Sequence, residues 1–354
     1  MKIIDRYLAA TVIGGTLMAL LVLGSLLAFV DFVSEIGEVG KGRYGIVDAI
    51  LYVLLSLPNR LYELFPTAVL LGSLLSLGAL AGHSELVVLR ASGFSVMRVA
   101  RSVLQAGLVL VCIVAVIGEV IVPLSERQAQ TVRATALQQT ISLGGQHGFW
   151  VRDGMRYMYV SRVYPDLHLG NIDIYEFNEN KEIQRITRAA SASYSNNLWV
   201  LRKVERTELT ASGIVTQSRA SENWPGLLNP DLFNVVSVKP ANMSALDLYR
   251  YSDYLRANQL DSSHYLLAFW IKIMTPISTL VMLLIALPFV FGSQRSGGAG
   301  NRLMLGLLLG IGFFLLNRTM NHFGQVYGFD PLFSAAFPVA LMAMAGLLAI
   351  RRVH

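Results

Sequence analysis

Two long apolar runs are separated by a short island with polar ends, His83-Ser84-Glu85-Leu86-Val87-Val88-Leu89-Arg90-Ala91-Ser92-Gly93-Phe94. Ser84 can cap a helix whose first turn holds Glu85, where a carboxylate suits the positive end of the helix dipole. Gly93 can close that helix in the left-handed conformation, and Ser95 can cap the helix that follows. The pattern predicts a helix of about two turns, roughly 10 Å long. It is either a lever arm between the two runs or a plain helical hairpin connection.

The composition is that of a membrane protein. The 354 residues are 54% hydrophobic and 15% charged, which is too apolar for an ordinary soluble domain. Six runs are long enough to span a bilayer, at 8–33, 61–81, 103–122, 266–291, 303–323 and 332–350. The first has no cleavage site behind it and is expected to stay attached as a span. The single cysteine, Cys112, rules out an intramolecular disulfide, and the lack of a Lys/Arg-rich block argues against nucleic acid as a partner.

Residues 124–263 have a different pattern. Short segments alternate apolar and polar residues between Gly, Asn, Asp and Pro breaks, which predicts strands at 149–151, 157–160, 172–177, 189–194, 198–201 and 235–238. Many short strands favour a sandwich or jelly roll, and after Ser244 the pattern becomes helical. We expect span 3 to end at Pro123 and residues 46–57 to form a separate amphipathic segment.

The predicted fold is an α-helical membrane protein with six transmembrane helices and an all-β, jellyroll-like domain inserted between helices 3 and 4. Residues 1–123 hold the first three spans with the short helix at 83–93, residues 124–263 hold the β-domain, and residues 264–354 hold the last three spans.

Positive charges predict the orientation. If the amino terminus is cytoplasmic, the short cytoplasmic segments hold nine basic residues, which are Lys2, Arg6, Arg90, Arg98, Arg101, Arg295, Arg302, Arg351 and Arg352. The short segments on the other side then hold only Lys41 and Arg43. Membrane proteins concentrate Lys and Arg in cytoplasmic loops. We therefore expect both termini and the island in the cytoplasm, and the β-domain on the outer side.

The sequence shows no catalytic constellation. It has no His-Glu-x-x-His, its six histidines are scattered, and residues 37–42 lack the first glycine and the Ser/Thr of a phosphate loop. The glycine-rich stretch 292–300 follows a span and is typical of a flexible loop. We predict no catalytic residue, metal site or cofactor in this chain, so that any energy is supplied by a partner. A membrane-embedded lipid-modifying enzyme would need a clustered acid/base or metal set, and none is visible.

Several charged residues lie in or near the predicted spans, where an unpaired charge is costly. Asp31, Arg60, Glu63, Glu119 and Lys272 fall close to the outer boundary, where pairing or snorkelling explains them. Arg318, some 15 residues into span 5, is more suggestive of function. With Lys41, Arg43 and Arg133 it can make a basic collar for the phosphate groups of an amphiphile, although a solvated loop surface is the alternative for those three.

Four motifs stand in an order that covers essentially the whole chain. They are Asp5-Arg6-Tyr7, Ser84-Glu85-Leu86-Val87-Val88 with Arg90-Ala91-Ser92-Gly93-Phe94, Gly118-Glu119 before Pro123, and Tyr175-Glu176-Phe177-Asn178. Together they resemble the lipopolysaccharide-export permeases of the LptF/LptG family, and within it the LptG branch more than the LptF branch. The resemblance implies the permease subunit of an ATP-driven ABC transporter in the inner membrane of a Gram-negative cell. Such a transporter extracts lipopolysaccharide from the outer leaflet and passes it along periplasmic β-jellyroll domains towards the outer membrane.

The resemblance also implies partners and site residues. The partners are an LptF-like permease subunit, an LptB-like ATPase dimer that binds the ATP and Mg²⁺, and an LptC-like single-span protein. The island matches the helix that docks on the ATPase, which makes its coupling residues Glu85, Leu86, Leu89, Arg90, Gly93 and Phe94. Spans 1 and 5 would form lateral gates against the partner permease.

The candidate lipopolysaccharide-binding residues are Lys41, Arg43, Arg133 and Arg318. Of these, Arg133 aligns with a basic position of the family, whereas Asp31, Gly37 and Glu38 stand where lysines for lipid A phosphates are expected. The alternative function is a scaffold that conveys ATPase strokes to a periplasmic partner without moving lipid. The two hypotheses differ in whether spans 1 and 5 contact lipopolysaccharide.

Overall fold

A computed structural model describes residues 3–93, 95–137, 149–153, 155–163, 168–178, 182–195, 198–210, 213–224, 240–291 and 299–351. Within these ranges six helical stretches are long and apolar enough to cross a membrane, so the prediction of six spans is confirmed. The helices are α1 (Ile3–Ile36), α2 (Ile46–Gly82), α3 (Glu85–Ala91), α4 (Val96–Val116), α5 (Val122–Leu137), α6 (Ala245–Ala257), α7 (Ser263–Phe291), α8 (Ala299–Tyr327) and α9 (Pro331–Arg351). The helical pattern expected after Ser244 corresponds to α6. The last two residues of the glycine-rich stretch 292–300 are the first two residues of α8.

The second span is a single helix of 37 residues, so the separate amphipathic segment expected at 46–57 is wrong. Pro58 and Pro66 lie inside this helix. Each proline removes one backbone hydrogen bond, but spans tolerate this because neighbouring helices and side chains satisfy the freed carbonyls. The helix starts where Asp48 accepts the Gly45 N–H at 2.8 Å, which gives a defined beginning well before the apolar run.

The third span does not end at Pro123 as predicted. A π-helical turn, Ile117–Ile121, comes just before the proline, and the Val122 N–H donates to the Ile117 carbonyl five residues back. The wider turn shifts the hydrogen-bond register, and the chain continues as α5 to Leu137, packed along α2. Residues 124–137, assigned from the sequence to the β-domain, are therefore helical.

The predicted all-β insertion is confirmed as one six-stranded antiparallel sheet. Its strands pair in chain order and are β1 (Phe149–Asp153), β2 (Arg156–Val163), β3 (Leu169–Phe177), β4 (Ile183–Ser195), β5 (Leu198–Thr210) and β6 (Gly213–Trp224). The first five match predicted strands, whereas β6 was missed because its sequence is mostly polar and exposed. The strand expected at 235–238 lies outside the described residues.

The pairing of the strands is interrupted across the middle of the sheet. Asn171 in β3 and Lys203 in β5 both have a φ of 51°, and the pairing of β3, β4 and β5 skips one position on each strand there. Because both paired strands skip one residue, the register is the same on either side of this point, and a register shift of the β-bulge kind lies instead between Glu176 and Phe177. One face of the sheet packs its own apolar side chains together, from Met158 to Trp224, and leaves only about 10 Å³ of open space.

Helix α2 is the centre of the membrane bundle, and it is contacted by α1, α5, α7 and α8. Its apolar segment is 67% buried, against 22% for α1 and 17% for α8. Helices α1 and α2 cross at Gly15 and Gly72, where a Cβ on Gly15 would lie 2.5 Å from the Gly72 carbonyl oxygen. Small residues allow this close approach in membranes. The outer faces of α1 and α8 remain open.

Candidate functional site

The helix predicted at the island is present as α3, seven residues long. Gly93 has a φ of 86°, and Ser95 caps α4 by accepting the Arg98 N–H at 3.3 Å, both as predicted. Ser84 differs from the prediction because its own φ is 63°. Its carbonyl accepts two N–H groups of the next turn at 3.0 Å. The helix is therefore bounded by left-handed residues on both sides.

Helix α3 has one buried and one exposed face. Leu86 is only 4% exposed and packs into the core that α1, α2 and α4 share, and Leu89 packs partly against it. The Val87-Val88 pair points outwards. Two other predicted coupling positions, the Arg90 side chain and Phe94, lie outside the described residues. The exposed apolar face is compatible with docking of a second protein.

The start of α1 is tied to this region by two side-chain hydrogen bonds. The Tyr7 hydroxyl donates to Glu85 Oε2 at 2.8 Å. The Ser102 hydroxyl of α4 donates to Asp5 Oδ1 at 2.6 Å. Thus two residues of the Asp5-Arg6-Tyr7 motif connect α1 to α3 and to α4.

The predicted basic collar is only partly assembled. The backbone N–H of Arg43 donates to the Ala136 carbonyl at 2.8 Å, which brings Lys41 and Arg43 to the end of α5 near Arg133. Lys41 pairs with Glu38 at 3.0 Å. Arg318 is exposed on α8, and its charge acts on Glu63 of α2.

Arg133 is already engaged by groups of its own chain. Its Nε lies 3.3 Å from Glu35 Oε2, and its guanidinium lies 5.3 Å from the centre of the Tyr52 ring. The Tyr44 hydroxyl also donates to Glu35, at 3.0 Å. Burial and this bond raise the pKa of Tyr44 above its usual range, so Tyr44 remains a neutral donor. A phosphate that binds Arg133 must therefore compete with Glu35.

A second arginine forms a close pair at the same end of the bundle. Arg60 Nε and Nη2 donate to the two oxygens of Asp31 at 2.7 and 3.1 Å, and Glu63 lies 3.8 Å from the same guanidinium. Two parallel bonds of this kind are the strongest geometry for an arginine and a carboxylate. Pairing between spans therefore accounts for Asp31 and Arg60, as the sequence suggested.

The π-helical turn forms a junction between the spans and α6. Because Val122 bonds to Ile117 and Pro123 has no N–H, the Gly118 carbonyl has no helical partner, and it accepts a hydrogen bond from Lys272 Nζ at 2.5 Å instead. The neighbouring Glu119 accepts the Ala245 N–H at 2.8 Å, and so caps the start of α6. The junction joins the third and fourth spans to the helix that leads back from the β-domain.

An apolar groove of about 500 Å³ runs along α1. Its walls come from α1, α2 and α8, and it is lined by Gly15, Met18, Ala19, Val22, Leu23, Leu71, Leu75, Ser76 and Leu307. Because α1 and α8 are the least buried spans, the groove opens between the two helices that the resemblance assigns to lateral gates.

Among the described residues no cluster of His, Cys, Asp or Glu is arranged to hold a metal ion. The family model described as "Lipopolysaccharide export system permease LptF/LptG" matches residues 6–352. The chain belongs to this LptF/LptG permease family. It is 38% identical to the LptG permease protein of Escherichia coli K12 over 353 residues, which are 99% of this chain and 98% of the relative. It is 37% identical to the LptG permease protein of Haemophilus influenzae over 340 residues, 96% and 95% of the two chains.

These matches confirm the resemblance to the LptF/LptG family and to its LptG branch. The relatives are named permease proteins, in keeping with a transmembrane subunit that is not itself a catalyst. In this permease, two candidate residues contact residues that the sequence did not point to: Glu85 contacts Tyr7, and Arg133 contacts Glu35. Glu35 was not among the charged residues considered, and Tyr7 stood out only as part of a motif. The adjacent pairs Arg6-Tyr7 and Arg43-Tyr44, near the two ends of span 1, were the available signal.

Proposed function

We propose that this chain is the permease subunit of an ATP-driven transporter that takes lipopolysaccharide from the outer leaflet of the inner membrane and passes it to a periplasmic bridge. The groove between α1, α2 and α8 carries the proposal. It is apolar, it is open to the side, and at about 500 Å³ it has room for parts of several acyl chains. The groove is as apolar as the lipid from which the acyl chains come, so they can enter it without penalty, and each CH₂ that it keeps from water on the way out saves about 0.8 kcal/mol.

The collar supplies the complementary chemistry for lipid A phosphates. Arg43 and Arg318 are exposed and can bind a phosphate directly, and Lys41 can do so by exchanging Glu38 for the phosphate. Arg133 can do so by exchanging Glu35 for the phosphate. Glu35 holds Arg133 through a single contact, Nε to Oε2 at 3.3 Å, whereas a phosphate can accept two parallel bonds from an arginine, so the exchange can form the stronger geometry.

The motor is a separate protein, an LptB-like ATPase dimer that binds ATP and Mg²⁺, and it presses on α3. Glu85, Leu89, Arg90 and Phe94 form the contact, and Leu86 passes the displacement to the bundle through the core it shares with the spans. The Glu85 carboxylate pairs with a basic group of the motor. An LptF-like permease closes the open faces of α1 and α8, and an LptC-like single-span protein joins the complex.

The orientation follows from the charge distribution. Nine basic residues in short segments on the α3 side, against two on the other, support a cytoplasmic α3 and a periplasmic β-domain. Cysteine labelling tests this. In a Cys112→Ser background, a cysteine at Gln217 of β6 should react with an impermeant maleimide added to intact spheroplasts, and a cysteine at Val88 of α3 should not. The reverse pattern would overturn the orientation.

Photocrosslinking tests the substrate path. A photoreactive residue at Met18 or Leu307, in complexes purified from cells, should form adducts with lipopolysaccharide because both positions line the groove. The matched control is Leu347 on α9, which is similarly apolar and exposed but lies outside the groove. Adducts at neither groove position would favour a scaffold that moves no lipid.

The coupling role has its own test. Glu85→Ala should leave the complex assembled and lower lipopolysaccharide release in proteoliposomes at least several-fold. The control is Glu205→Ala, an exposed carboxylate on β5, which should transport normally. Normal transport with Glu85→Ala would remove Glu85 from the coupling contact.

A further inference from the structure

We propose that Tyr7 is the positioning residue for Glu85, and that it links the helix on which the motor presses directly to the wall of the lipid groove. The inference rests on the proposed function, in which Glu85 meets a basic group of the motor. It adds Tyr7, which lies on α1, and a route by which a displacement of α3 reaches the groove.

The geometry leaves half of the Glu85 carboxylate available. Tyr7 donates to Oε2 at 2.8 Å, while Oε1 has no hydrogen-bond partner among the described side chains, which do not include that of Arg90. With one oxygen held, the carboxylate has a fixed direction before the motor binds. A preoriented group loses less side-chain freedom on binding than a free one, so the Tyr7 bond should strengthen the contact without touching the motor.

Helix α3 depends on such contacts for its position. Seven residues are too few for a helix to be stable by itself in water, and both of its flanks are left-handed residues rather than neighbouring turns of helix. Two features anchor it to α1, namely the burial of Leu86 in the core that includes Leu8 and Val12, and the Tyr7 bond at the surface. The hydrogen bond is directional, so it fixes the rotation of α3 in a way that apolar packing does not.

The same span carries the groove wall. Helix α1 runs without a proline from Ile3 to Ile36, so Tyr7 and Met18 belong to one continuous rod, about 16 Å apart at 1.5 Å per residue. Asp5 ties the same first turn to the buried Ser102 of α4. A displacement of α3 therefore reaches the groove through α1 itself, without passing through α2.

A double-mutant cycle tests this in the complete complex with its ATPase, reconstituted in vesicles that contain lipopolysaccharide. The variants are Tyr7→Phe, Glu85→Gln and the double change, and the readout is lipopolysaccharide released per ATP hydrolysed. Tyr7→Phe should lower this ratio about three- to ten-fold, in line with the loss of one ordinary hydrogen bond at the protein surface. The double variant should equal Glu85→Gln alone, because Tyr7 acts only through that carboxylate. Tyr249→Phe, an exposed tyrosine on α6, is the control and should not change the ratio.

The outcomes separate the two proposals. If Glu85→Gln is impaired but Tyr7→Phe is normal, or if their effects multiply in the double variant, Tyr7 is not a positioning residue while the coupling role of Glu85 stands. If Glu85→Gln transports normally, the coupling contact itself is wrong. Tyr7→Phe removes one oxygen from a side chain that is 47% exposed, so the variant should fold, and co-purification of the ATPase verifies its assembly.

Discussion

The crossing of α1 and α2 provides a sharp test of the bundle. Gly14 and Gly15 are neighbours on α1, but their surroundings differ completely. A Cβ on Gly15 would lie 2.5 Å from the Gly72 carbonyl oxygen and 2.8 Å from the Ser76 Cβ, whereas a Cβ on Gly14 has nothing within 4 Å. We therefore expect Gly15→Ala to destabilise the permease and Gly14→Ala to leave it unchanged or slightly more stable.

The magnitude can be worked out from these distances. Ordinary contact begins at about 3.4 Å, so Gly15→Ala forces α1 and α2 apart by roughly 1 Å. The clash is with backbone atoms, so a change of side-chain rotamer cannot relieve it. Overpacking of this kind costs about 1–3 kcal/mol. Both substitutions gain about 1 kcal/mol of helix propensity, which cancels when the two variants are compared. The difference in unfolding free energy between them should therefore be about 1–3 kcal/mol.

Thermal unfolding of the purified complexes, in one detergent and at one heating rate, measures this difference as a lower midpoint for Gly15→Ala. Lipopolysaccharide release should fall as well, because Gly15 also lines the groove. Equal midpoints for the two variants would refute the close crossing, and with it the shape of the groove.

Four further substitutions, the first two compared with each other, test other contacts by thermal unfolding against the unchanged chain. Glu222→Ala should cost about 3 kcal/mol because it leaves a largely buried arginine unpaired, whereas Glu208→Ala, in a more exposed pair, should cost less than about 1 kcal/mol; equal costs would contradict the burial. Gly118→Ala should cost about 1–3 kcal/mol, since its Cβ would meet a buried tyrosine ring at 2.4 Å; a neutral effect would argue against the π-helical turn. Tyr44→Phe should cost about 1–2 kcal/mol by removing a donor from Glu35, and no loss would mean that this carboxylate is solvated.

The spans and α3 could be predicted from the sequence because their causes are local. A run of apolar residues long enough to cross a bilayer forms a helix whichever helices pack against it. Gly93 ends a helix through its own backbone conformation, and Ser95 starts one through its hydroxyl group. The first five strands were also visible, since their alternation of apolar and polar residues reflects a sheet with one buried face.

The errors arise where a distant residue decides the local structure. Pro123 usually ends a helix, and it does not do so here because Lys272, more than a hundred residues later, satisfies the carbonyl that the π-helical turn leaves without a partner. Strand β6 is polar and lies at an edge, so its pairing with β5 determines it more than its own pattern does. The collar was recognised by charge alone, which cannot show that Arg133 already has Glu35 as a partner.

Helix α1 shows how these local and distant effects combine. Near its start it is tied by Tyr7 to Glu85 and by Asp5 to Ser102, and near its end by Asp31 to Arg60 and by Glu35 to Arg133. Between these ends α1 packs through apolar and small residues, and its apolar segment is only 22% buried. Polar bonds at the ends are directional and hold α1 in register with its neighbours, whereas small-residue contacts between spans have no hydrophobic force holding them together in lipid. A span fastened in this way can separate from its neighbours along the groove while its two ends keep their register, which is the mechanical property that a lateral gate needs.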